Sequence, residues 1–141
     1  MTRKYTLPAL TALAAAAALA GVGSAATPPS HASLVIRHQT RGCHTWSVNG
    51  ERFAATQTVG LRRGGWIMVT NNDVMPHKLV KTSGPAAQML RPLMNHMGAK
   101  TRVVFGRKGL FRFTTKAGED YMPGMKTVGE DYLLRLTVRV S

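Results

Sequence analysis

Hydrophobic and polar residues alternate with a period of two through most of the chain from His44 onward. His44-Thr45-Trp46-Ser47-Val48 alternates bulky and polar positions and is broken by Asn49-Gly50, a strand followed by a turn. Gln57–Leu61 puts Val59 and Leu61 on one face, and Arg62-Arg63-Gly64-Gly65 turns the chain. Trp66–Thr70 is apolar on both faces, as a central strand of a packed sandwich should be, and Asn71-Asn72-Asp73 ends it with turn-forming residues. His77–Lys81 forms a further strand. Thr101, Val103 and Phe105, then Phe111, Phe113 and Thr115, then Leu134, Leu136, Val138 and Val140 each line one face of a strand. The pattern predicts an all-β sandwich of about seven or eight short strands. Gly84–Ala99 breaks it. Ala86–Leu90 could form a helical turn before Pro92, but the segment is better read as a long excursion between sheets, of the kind that carries function.

The N-terminal quarter lacks this alternation. Arg3 and Lys4 precede an uncharged, alanine-rich run over Leu7–Val22, and small residues follow through Ala26. This layout is that of a secretory signal peptide over 1–25, too short to be a good spanning helix. Export to the periplasm or the medium follows, with membrane attachment only through an uncleaved leader. Pro28-Pro29-Ser30 and its surroundings, 26–41, read as a flexible leader, which leaves 42–141 as one domain.

Charge and cysteine content narrow the function. The chain carries 19 Lys and Arg against 6 Asp and Glu, a net charge of +13, which implies attraction to anions but says nothing about fold. The basic residues are dispersed, and no nucleic-acid motif with interleaved aromatics occurs. A single cysteine excludes an intrachain disulfide and any site needing two thiolates. No phosphate loop, nucleophile elbow or His-Glu-x-x-His stretch is present, so nothing in the sequence points to an enzyme.

One motif carries a resemblance. Val69-Thr70-Asn71-Asn72-Asp73-Val74-Met75-Pro76-His77-Lys78-Leu79-Val80 resembles the first copper-ligand segment of the cupredoxins, in which a strand ends in an Asn-Asn or Asn-Asp turn and a Pro-His pair opens the next. The resemblance extends weakly over residues 44–140. It implies a Greek-key β-sandwich with the His77 imidazole aimed at a metal from one rim. The family's second ligand loop departs from the pattern: its cysteine position falls on Thr115 and its histidine position near Gly118, while Met122-Pro123-Gly124-Met125 keeps the end of the loop. Without that thiolate a blue centre is not expected.

The remaining soft donors are Met122 and Met125 in the terminal loop and His96 and Met97 in the excursion. With His77 they form a thioether and imidazole set that suits copper, Cu(I) especially but also Cu(II). Met94 and Met75 are as readily core filler. Cys43 is placed away from this rim. If Asn49 lies near His77, Cys43 is about 20 Å off at about 3.3 Å per residue. His44 shares a face with Trp46 and Val48 and reads as a packed histidine. Glu119-Asp120 and Glu130-Asp131, in two Gly-Glu-Asp-Tyr copies, read first as turns with acids paired to arginines, and second as carboxylates for a Cu(II) site. The expected function is an exported copper-binding protein used in copper carriage, buffering or tolerance, with the metal ion as partner and another exported copper or redox protein as a candidate second one. An electron-transfer cupredoxin that recruits Cys43, and a metal-free cationic sandwich that binds polyanions, are the alternatives.

Overall fold

The computed structural model describes residues 26–39, 44–118, 123–124 and 133–141. Ten strands are formed among these residues: β1 (His31–His38), β2 (His44–Val48), β3 (Thr56–Leu61), β4 (Trp66–Asn72), β5 (His77–Ser83), β6 (Gln88–Leu90), β7 (Leu93–Met94), β8 (Lys100–Val104), β9 (Gly109–Ala117) and β10 (Arg135–Val140). They build two five-stranded sheets, β2-β1-β4-β8-β6 and β3-β10-β9-β5-β7. The fold is the all-β sandwich that the alternation predicts, and from β4 to β9 the chain passes from one sheet to the other at every connection.

The core is the set of inward positions read from the sequence. Trp46, Val59, Leu61, Ile67, Val69, Phe105, Phe111, Phe113, Leu136 and Val138 are all buried. The Phe105 ring meets Phe111 and Phe113 edge-on, at centroid distances of 4.9 and 6.1 Å. Such pairs add to the free energy of burying each ring, which at about 25 cal/mol per Å² is the main stabilising contribution in a sandwich of this size.

Two expectations are corrected. The stretch read as a flexible leader contains β1, which pairs antiparallel with β2 and parallel with β4. Its own alternation explains this, because Ala32, Leu34 and Ile36 are buried while Ser33 and Arg37 face out. The excursion over 84–99 contains no helical turn. It carries β6, an edge strand on β8, and β7, an edge strand on β5. The proposed signal peptide over 1–25 lies outside the described residues. Among those residues, no helix is long and apolar enough to cross a membrane.

Register positions one end of the sandwich. Parallel pairing sets Arg37 of β1 opposite Asn72 of β4, so His38 lies level with the residue after Asn72, which is Asp73. Antiparallel pairing sets His38 opposite His44, the first residue of β2. β5 opens at His77, between Ala117 of β9 and Met94 of β7. Three strand ends and one turn therefore meet at a single rim.

Candidate metal centre

The Asn71-Asn72-Asp73 turn is braced by its own side chains. Asn71 Oδ1 accepts the Asp73 backbone N–H at 2.9 Å, and Asp73 Oδ1 accepts that of Met75 at 3.0 Å. These are nested Asx turns, the local chemistry for which Asn and Asp are chosen at strand ends. The Asn71 amide also donates to the Met75 and Met94 carbonyls, at 2.8 and 3.0 Å. Asn71 thereby ties the turn to β7 and fixes Asp73 in place. Asn71→Ala leaves buried carbonyls unpaired and loosens the carboxylate. We expect a loss of about 1–3 kcal/mol in urea unfolding and a fall of about 10–100-fold in the metal affinity argued below.

Asp73 is fully buried, and three imidazoles surround it. His44 Nδ1 lies 2.8 Å from Oδ2, His77 Nε2 lies 3.2 Å from the same oxygen, and His38 Nδ1 lies 3.4 Å from Oδ1. The His44 and His77 rings meet edge to face, with centroids 4.6 Å apart. An ionised carboxylate only accepts, so the nitrogens facing it carry the protons. Burial alone would raise the Asp73 carboxyl, but the hydrogen bonds from His44 and His77, the Met75 amide and the attraction of His77 outweigh it. Asp73 is held well below the usual carboxylate range.

These separations suit a shared ion as well as hydrogen bonds. Donors around one tetrahedral ion with bonds of about 2.0–2.1 Å stand about 3.3 Å apart, close to the 2.8–3.4 Å between each imidazole nitrogen and the Asp73 oxygen it faces. Ligand atoms of His38, His44 and Asp73 all lie within 4.8 Å of one another. His77 Nδ1 is buried with no hydrogen-bond partner among the described residues. A buried polar atom left in that state costs about 1–3 kcal/mol, so it is a position for which a ligand is the natural explanation. Borderline nitrogen donors with one carboxylate suit a divalent transition metal. The rim opens through His38, which is 48% exposed, while His44 and His77 are 2% and 0% exposed.

Of the ligands expected from the sequence, His77 stands in this cluster. His96 and Met97 lie in an adjacent turn whose Gly98 and Ala99 bond to the Asn71 backbone, and both side chains face solvent, Met97 at 55% exposure. Met122, Met125, Cys43 and both acidic pairs lie outside the described residues. His44 is buried, as expected of a packed histidine, but it packs against Asp73 and His77 and belongs to the cluster. The placement of Asn49 near the His77 rim is also overturned. Its amide bonds Ser33 near the start of β1, so β2 runs the other way and begins at the cluster. The 20 Å estimate for Cys43 rested on the reversed direction. His38 and Asp73 were not identified as ligands. The signal for both was the alternation of Ala32, Leu34 and Ile36, which makes β1 a strand and brings its last residue to the end of β4.

No protein-family model matches the sequence, and no curated protein is significantly similar to it. Solved structures do match in shape. Cupredoxins are among them. A purple cupredoxin from Nitrosopumilus maritimus is 19% identical with a TM-score of 0.46, over 78% of this chain and 99% of that one. A reduced Cu(I) form of an amicyanin mutant is 16% identical with a TM-score of 0.42, over 86% and 88%. A cysteine protease inhibitor from Entamoeba histolytica reaches a TM-score of 0.41 at 8% identity, over 80% and 99%. Likenesses this distant do not choose among functions, and the reading of the site stands on the side chains around Asp73.

Proposed function

We propose that the protein is an exported copper-binding protein of cupredoxin type, used for copper carriage, buffering or tolerance. The observation that carries this is the buried Asp73 carboxylate with His38, His44 and His77 nitrogens all within 3.4 Å of its oxygens. Three imidazoles and a carboxylate would hold the ion. Among divalent first-row metals such donors favour Cu(II) most strongly. When bound, copper supplies a positive centre that replaces the protons now shared with Asp73. The half-exposed His38 gives the ion a way in and out, which suits delivery better than a sealed redox centre. Met122, Met125, His96 and Met97 are retained as thioether and imidazole donors for the reduced ion.

A second coordination mode is favoured by the unpartnered Nδ1 of His77. Asp73 would then hold the proton on Nε2 and orient the ring, as carboxylates do behind metal-bound histidines, and Nδ1 would be the ligand.

Titration of the mature chain with Cu(II) and Cu(I) tests the function. The expected result is saturable binding of one Cu(II) without an intense thiolate absorption band, retained in Cys43→Ser. Met122→Leu/Met125→Leu is expected to weaken Cu(I) while leaving Cu(II) within about threefold. A strong visible band lost in Cys43→Ser would favour the electron-transfer alternative. Absence of saturable binding would reject both.

A further inference from the structure

The outward face of the second sheet carries hydroxyls, guanidiniums and ammonium groups on β3, β10, β9 and β5. Arg135 of β10 lies between Thr56 of β3 and Thr114 of β9, and in the next outward row Thr137 lies between Thr58 and Arg112. Arg139 follows on β10, and Lys116 on β9 stands directly opposite Lys78 on β5. Like charges placed directly across a strand pair repel. Of the six acids in the sequence, only Glu51 and Asp73 fall among the described residues, and neither forms an ion pair with these cations. Among the described residues, the only hydrogen-bond partner of the Arg112 side chain is neutral, the Ser83 hydroxyl at 3.4 Å.

Within this face is a recess of ≈ 320 Å³ whose lining combines the apolar Phe113, Leu133 and Leu136 with Arg112, Arg135 and the threonines of the neighbouring strands. Arg112 and Arg135 are diagonal neighbours, with Cα atoms about 7–8 Å apart, and both line the recess. The Thr114 hydroxyl is committed to the Leu134 carbonyl at 2.7 Å, and the Thr56 and Thr137 hydroxyls flank the two arginines. Two planar donor forks with threonine hydroxyls beside them match an acceptor that offers oxygens in several directions.

We propose that this recess binds a tetrahedral oxyanion, a phosphate or sulfate group, between Arg112 and Arg135. Arg139 and Lys116 continue the cationic face on either side, so a ligand bearing several such groups would be held at more than one of them. The site is independent of the copper reading and is expected in metal-free and metal-loaded protein alike.

Calorimetric titration of the mature chain with inorganic phosphate at low ionic strength, without added metal, tests it. The variant R112Q/R135Q is compared with R107Q/K108Q, which removes two exposed charges from the turn between β8 and β9. The expected result is saturable binding that R112Q/R135Q weakens by more than about tenfold and R107Q/K108Q changes by less than about twofold, with both variants unfolding near the wild-type midpoint. Equal weakening by the two variants would show a diffuse cationic surface and overturn the site, as would the lack of saturation. If phosphate binds as expected, competition by a sulfated oligosaccharide assigns the group to a chain, and its failure to compete assigns the site to the free ion.

Discussion

His77→Ala is expected to remove tight Cu(II) binding, lowering the affinity by on the order of 100-fold or more. Loss of a group that merely orients a ligand commonly costs about 10–100-fold, and both coordination modes make His77 a ligand itself. The ring is fully buried between the sheets, so no neighbouring side chain replaces it without moving a strand. His77→Gln keeps a polar side chain of similar size and separates loss of the ligand from loss of packing. Competitive titration against a copper chelator, with unfolding curves for each variant, measures both. Affinity within threefold of wild type in both variants would remove His77 from the site.

Asp73→Asn is expected to lower Cu(II) affinity by at least about tenfold and the stability of the metal-free protein by about 1–3 kcal/mol near neutral pH. The amide keeps the size of the side chain but not its charge, and offers one acceptor oxygen where His38, His44, His77 and the Met75 amide now share two. The stability cost depends on pH in a defined direction. The folded carboxyl is held below its unfolded value of about 3.8. Its contribution is therefore present in full above that value and fades as pH falls below it toward the folded one. The gap between wild type and Asp73→Asn should be widest near neutrality and narrow in acid, measured by urea unfolding across a pH series. A gap that widens in acid would contradict this electrostatic account.

The two-sheet fold was legible because its inward positions recur with period two, and Val59, Leu61, Phe111, Phe113, Leu136 and Val138 are buried as that period requires. His77 was legible from the Asn-Asp turn and the Pro-His pair. The rest of the cluster was not, for two physical reasons. Pro28 and Pro29 drew attention from the strand that follows them, although Ala32, Leu34 and Ile36 show the same alternation as the core strands. Strand direction was the second: periodicity is identical read forward or backward, so nothing in His44–Val48 says which end meets His77. The parallel pairing of β1 with β4, 35 residues on by the register His31 to Trp66, fixes that direction. It is a long-range contact with no local signature. Asp73 looked like a turn former and is one, but the same carboxylate that builds the Asx turn also gathers the imidazoles.

Electron paramagnetic resonance of the Cu(II)-loaded mature chain, with pulsed detection of the imidazole nitrogens, tests the centre most directly. Three histidine nitrogens coupled to one copper, reduced by one in each of His38→Ala, His44→Ala and His77→Ala, is the predicted result. A spectrum unchanged in all three variants, or copper coupled to no imidazole at all, would contradict a metal centre built around Asp73.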